Sequence, residues 1–106
     1  MGSFMFFPIM RFKIEDRSME PTFKPGDYVI VNKLSYIFGK PSKGDVIVLK
    51  HPVEKNSFII KRISLITNSD KYYVAGDNKS YSQDSRHFGP VGKELIAGKI
   101  LLHFRK

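Results

Sequence analysis

The sequence predicts an all-β fold, a single small domain of about six strands wound as a coiled sheet or small barrel. Three observations predict it. Val and Ile crowd into short runs, some of which alternate apolar and polar residues with a period of two. Clusters of Gly, Pro, Asp and Ser separate those runs. No segment sustains a helical period over ten or more residues.

The first strand is expected at residues 9–16, IMRFKIED, where Met10, Phe12 and Ile14 share one face and Arg11, Lys13 and Glu15 the other. DRSMEPTFKPGD follows, a turn region in which Pro21 and Pro25 restrict the backbone. YVIVNKL, 28–34, is the second strand, and SYIFGKPSKGD a loop or hairpin tip. VIVLK, 46–50, is the third, ended by His51-Pro52. FIIKRISLI, 58–66, is the fourth and KYYVA, 71–75, the fifth. An irregular stretch fills 76–93. The last strand is ELIAGKILLHF, 94–104, with Ile96, Ile100, Leu102 and Phe104 facing inward and Glu94 and Gly98 nearer its ends or a bend. PGDYVIV and KGDVIVL resemble each other, each a Gly-Asp turn leading into a buried strand.

A chain of 106 residues has the size of one domain, placed at 9–106 behind a tail at 1–8. With no cysteine, disulfides and thiolate metal sites are excluded. His51, His87 and His103 show no metal-ligand spacing, so neither a metal nor a cofactor is expected. The net charge of +8 favours nucleic acid or an anionic membrane surface as a partner. The basic residues are spread evenly and no nucleic-acid motif is present, so nucleic acid is not expected. FMFFPIM, 4–10, is far shorter than the roughly 20 apolar residues of a membrane span. It is also too short for a secretory signal. Met1-Gly2-Ser3 reads as an added remnant, and FMFFPIM as either a patch dipping into a bilayer or the start of the first strand.

The fourth strand holds an anomaly. Alternation places Lys61 on one face with Ile59, Ile63 and Leu65, all apolar, and Arg62 on the other with Phe58, Ile60, Ser64 and Ile66. The ordinary reading is that the ammonium snorkels to the strand edge or pairs with a carboxylate. The sharper reading is that burial lowers its pKa and makes it a general base. A base needs a nucleophile. Ser18 is the best candidate, a hydroxyl in a proline-braced turn with its own backbone N–H nearby as an oxyanion donor.

Taken together, Ser18-Met19-Glu20-Pro21-Thr22, then Gly26-Asp27, then GDVIV at 44–48, then Lys61-Arg62, then GDNKSYSQDSRHFGPV at 76–91 resembles the type I signal peptidases. The blocks stand in that family's order and cover about residues 12–100. The resemblance implies a serine endopeptidase with a Ser–Lys dyad, Ser18 as nucleophile and Lys61 as general base. It implies that Ser82 orients the lysine and that Asp84 and Arg86 form a structural ion pair with Arg62 near it. Asp77 and Asn78 would shape the turn of the same block. Asp16, Arg17 and Ser18 would form the oxyanion region. The implied substrates are preproteins whose signal peptides are cut after small residues, on the extracytoplasmic face of a membrane.

Two departures stand out. The family usually has Gly or Ser two residues before the nucleophile, and this chain has Asp16, expected to point away from the oxyanion. The membrane helices and extra β-domain common in the family are not in this sequence. Rival readings are a maturation peptidase with one dedicated partner, and a non-catalytic basic β-module that binds nucleic acid or a membrane surface. The SOS-repressor autoproteases share the dyad but need a DNA-binding helical domain.

Overall fold

The computed structural model describes residues 8–54, 56–81 and 84–105. Six strands form: β1 (Ile9–Lys13), β2 (Tyr28–Asn32), β3 (Val46–Lys50), β4 (Phe58–Ile66), β5 (Tyr72–Ala75) and β6 (Ile96–Phe104). All pair antiparallel in one sheet of order β1-β2-β6-β3-β4-β5. The sheet does not close, so of the two expected forms the coiled sheet holds and the barrel does not. The irregular stretch contains one helical turn, α1 (Ser85–Phe88), and a 3-10 turn at Lys93–Leu95. The four apolar residues of FMFFPIM that precede Pro8, with the rest of 1–7, lie outside the described residues. Pro8 accepts the Lys33 N–H at 2.6 Å, and Ile9 and Met10 open β1.

The two Gly-Asp turns are built alike. Asp27 N–H bonds the Lys24 carbonyl and Asp45 N–H the Ser42 carbonyl, at 3.0 and 3.1 Å. Each aspartate side chain returns to accept the N–H three residues back, both at 3.0 Å. The third residue of each turn is a glycine at φ 94° or 95°, which side chains disfavour.

The sheet separates two apolar clusters. Ile47, Leu49, Ile63, Tyr72, Val74 and Val91 pack on one face. Ile14, Met19, Phe23, Val29, Val31 and Val48 pack on the other. This follows from alternation along β3, where Ile47 and Leu49 point one way and Val48 the other.

Bulges correct the inward set expected for the last strand. Ala97 is an extra residue opposite Val48/Leu49, and Leu101 an extra residue opposite Ile30/Val31. Each extra residue flips the alternation. Ile96 therefore packs on the first cluster and Ile100 on the second. Leu102 and Phe104 are exposed, at 56% and 50%. Gly98 lies inside the strand rather than at its end, where a Cβ would meet the Asn32 carbonyl at 2.6 Å. A third bulge, at Ser64 of β4, turns Leu65 to solvent and returns Ile66 to the face of Ile63.

Candidate active site

β4 carries Lys61 between Ile59 and Ile63, with Ile47 of β3 opposite. Packing on that face leaves Lys61 only 3% exposed. Burial pushes its pKa below the ordinary 10.5. The carboxylates of Asp16 and Asp84 pull it back up and the Arg86 guanidinium pushes it down again, with burial dominant. Burial thus makes the uncharged amine more accessible than in a free lysine.

Ser18 is 5% exposed. It sits in a tight helical turn, with Glu20 N–H on the Arg17 carbonyl and Phe23 N–H on the Met19 carbonyl. Met19, 1% exposed, plugs this turn into the second cluster. The Glu20–Pro21 peptide is cis.

A polar chain ties the serine loop to the lysine strand. Asn78 donates its N–H to the Ser18 carbonyl at 2.8 Å and its side-chain amide to the Arg17 carbonyl at 3.0 Å. Asp77 N–H meets the Met19 sulfur at 3.5 Å, and Thr22 Oγ1 donates to the Asp77 carboxylate. That carboxylate takes Arg62 Nε at 2.9 Å and Nη2 at 2.8 Å. Arg62 is the residue after Lys61, so the tie ends one position from the amine. Arg62 also holds the Gly44 carbonyl at 3.0 Å. Its pKa is raised and that of Asp77 lowered, each first through their shared hydrogen bonds.

Asp84 and Arg86 form a separate pair. Arg86 Nε lies 3.0 Å from Asp84 Oδ1 and Nη2 3.1 Å from Oδ2. Asp84 is fully buried, caps α1 through the Arg86 N–H and also takes the Gly76 N–H at 3.3 Å. Burial pushes this carboxyl up, but those hydrogen bonds together hold it below its ordinary value. Arg62, placed near this pair by the resemblance, has Asp77 as its carboxylate partner. Ser82 lies outside the described residues.

Asp16 overturns its expectation. Instead of pointing away, it accepts the Ser18 N–H at 3.1 Å on Oδ1. Arg17 pairs with Glu20 at the surface, at 3.0 Å.

A shallow cleft of about 90 Å³ opens at Ser18, walled by Phe12, Ile14 and Asp16 on one side and Phe58, Ile59 and Ile60 on the other. The sheet curls enough for the Phe12 and Phe58 rings to meet at 5.8 Å. Both walls have free edges. Among the described residues β1 pairs only with β2, and β5 pairs with β4 only from Arg62 onward. Phe58–Lys61 therefore has β3 on one side and no strand on the other among the described residues.

Thr22, Asp77 and Asn78 matter more here than the sequence suggested, and Phe12 and Phe58 were not singled out at all. Thr22 did carry a signal, as the closing residue of the S-M-E-P-T block. Asp77 and Asn78 carried one as well, as part of the G-D-N block, whereas Phe12 and Phe58 carried none, because their role depends on which strands the curl brings together. Among the described residues no cluster of His, Asp or Glu is arranged to hold a metal.

Fold and site together define a class: a small open β-sheet scaffold with a cleft ending at a buried serine, and a buried lysine next along the strand that walls it. The chain belongs to the signal peptidase family, peptidase S26, whose match covers residues 1–67 and 64–104. It is 35% identical over 107 residues to the mitochondrial ATP-independent inner membrane protease subunit 1a of Arabidopsis thaliana, covering 80% of this chain and 64% of that one. Signal peptidase I V of Bacillus subtilis is 29% identical, covering 84% and 82%. Signal peptidase I of Pseudomonas aeruginosa is 32% identical, covering 90% and 34%. The chain thus spans just under two thirds of the Arabidopsis relative and about a third of the Pseudomonas one.

Proposed function

We propose that this chain is the catalytic core of a serine endopeptidase that removes signal peptides from preproteins at a membrane surface, with Ser18 and Lys61 as its dyad. The observation that carries the reading is a lysine 3% exposed, its pKa lowered by burial, on the strand to which the Ser18 loop is tied. Family membership supports the same reaction.

In this mechanism an extended substrate enters the cleft and adds its backbone to the free edges of β1 and of Phe58–Lys61. The small cleft admits small side chains before the scissile bond. Neutral Lys61 takes the Ser18 proton as the hydroxyl oxygen attacks the carbonyl carbon. The Ser18 N–H helps hold the oxyanion. Protonated Lys61 then gives its proton to the leaving amine, and the C–N bond breaks. Water, losing a proton to Lys61, releases the acyl group. Ser82 is assigned the orienting of Lys61, and the Asp84–Arg86 pair a structural role behind it. Residues 9–106 are taken as the catalytic unit, and the extracytoplasmic side of the membrane as its place.

The test is cleavage of a peptide with small residues before the scissile bond, in detergent. Ser18→Ala and Lys61→Ala should each abolish turnover with the melting transition retained. The rate should rise with pH through a limb below 10.5, since the neutral amine is the active form. Undiminished cleavage by Lys61→Ala, or a limb at the free-lysine value, would overturn the dyad. A second reading, a processing peptidase with one dedicated partner, draws on the match to mitochondrial inner membrane proteases. A narrow cleavage preference across a peptide library would favour it.

A further inference from the structure

Asp16 sits where the reaction needs a vacancy. Its Oδ1 accepts the Ser18 N–H at 3.1 Å, the donor assigned above to the oxyanion. It lines the cleft that ends at Ser18, and its charge acts on Lys61. One carboxylate thus holds the backbone donor and stabilises the ammonium form of the base. A tetrahedral oxyanion would make the same two interactions.

We propose that Asp16 is an internal stand-in for the oxyanion, a cap on the Ser18 N–H that the scissile carbonyl must displace at each turnover. The inference rests on the Ser–Lys reading and adds to it a residue that sets the rate from within the oxyanion site. Displacement is feasible because Asp16 itself is exposed, so its carboxylate can swing into water while Ser18 stays buried. It is also necessary. An ionised carboxylate accepts but cannot donate, and at hydrogen-bond distance from the same N–H it would repel the developing negative charge. The cap therefore suppresses the reaction in two ways. It occupies a charge-assisted hydrogen bond that must first break. It also favours protonated Lys61, the form that cannot act as base. Among the described residues, Asp16 from the serine loop and Asp84 and Arg86 from the start of α1 act on the charge of Lys61. Removing Asp16 takes away one of the two carboxylates that raise the Lys61 pKa, so the amine deprotonates more readily.

The experiment compares the full chain with Asp16→Asn and Asp16→Gly. Asparagine keeps the shape and a weaker, neutral acceptor, and glycine removes the cap. At neutral pH, kcat/KM on a small-residue peptide should rise roughly threefold in Asp16→Asn and about tenfold in Asp16→Gly, the worth of a hydrogen bond to a charged group at an exposed site. The lower limb of the pH profile should move to lower pH in both, which a purely structural turn residue would not cause. Amide hydrogen exchange at Ser18 should accelerate in Asp16→Gly, a readout independent of activity. If Asp16→Gly fails to fold, Asp16→Asn decides alone. Active wild type with Asp16→Asn at or below its rate, or with an unmoved limb, overturns the cap while leaving the dyad standing. An uncleaved peptide in wild type and both variants overturns the dyad reading and the cap with it.

Discussion

At the scale of the residue, the decisive fact is that Lys61 is buried. Its folded-state pKa lies below the unfolded 10.5, so between those two values the unfolded chain binds more protons. Stability then rises with pH across that window, and below the folded value the whole penalty is present. Lys61→Met fills the same space without an amine to desolvate. It should melt several degrees higher than wild type at pH 6 and lose activity, and its advantage should shrink as pH climbs through the folded pKa of Lys61. Thermal melts at a series of pH values check this, and an advantage independent of pH would contradict it. The position of Lys61 was legible in the sequence because Ile59 and Ile63 flank it at the strand period. The direction of Asp16 was not. Its side chain can turn toward Ser18 or toward water at little cost, and spacing alone does not choose between them.

Strands and loops add a second requirement, that the serine loop stay registered against β4. The six strands were legible because Val and Ile saturate them and turn residues bound them. The facing of β4 and β6 was not fully legible, since bulges at Ser64, Ala97 and Leu101 depend on the neighbouring strands. The tie through Asp77 was hidden for the same reason, with Thr22 and Arg62 reaching it from 55 and 15 residues away. Asp77→Ala removes the centre of that tie. It should cost about 1–2 kcal/mol in a denaturant titration, the low end because Arg62 is partly exposed. It should cost more in rate, about 10- to 100-fold in kcat, because a serine displaced by about an ångström attacks poorly. The Arg62 hydrogen bond holds the Asp77 carboxyl below 3.8, and the stability it supplies is present above that value and lost as pH falls through the folded one. The gap between wild type and Asp77→Ala should therefore narrow in acid. A fall in stability without a larger fall in kcat would mean that Asp77 braces the loop but does not position Ser18.

Across the whole molecule, the open sheet leaves the cleft at Ser18 between two edges that are free among the described residues, and the surface decides what the cleft can approach. No helix among the described residues is long and apolar enough to cross a membrane. The loop between β2 and β3 nevertheless presents Phe38 at 86% and Ile37 at 65% exposure, beside Lys40 and Lys43. Tyr36 of the same loop is anchored inward, donating its hydroxyl to Asp45 at 2.6 Å, so the exposed pair is held on a fixed base. The Pro8 carbonyl accepts the Lys33 N–H at the foot of this loop, so the chain enters the sheet beside it. Aromatic and aliphatic tips in a loop that also carries lysines suit the surface of an anionic bilayer, where apolar insertion and counter-charge add. With a net charge of +8, the protein should co-sediment with vesicles containing phosphatidylserine and only weakly with phosphatidylcholine alone. Salt should weaken the binding by screening the lysines. Phe38→Asp should reduce it several-fold at low salt, while cleavage of a soluble peptide in detergent stays unchanged. Equal binding to both kinds of vesicle would remove the electrostatic half of this account. Unchanged binding by Phe38→Asp would remove the loop from it and leave the contact to other parts of the surface.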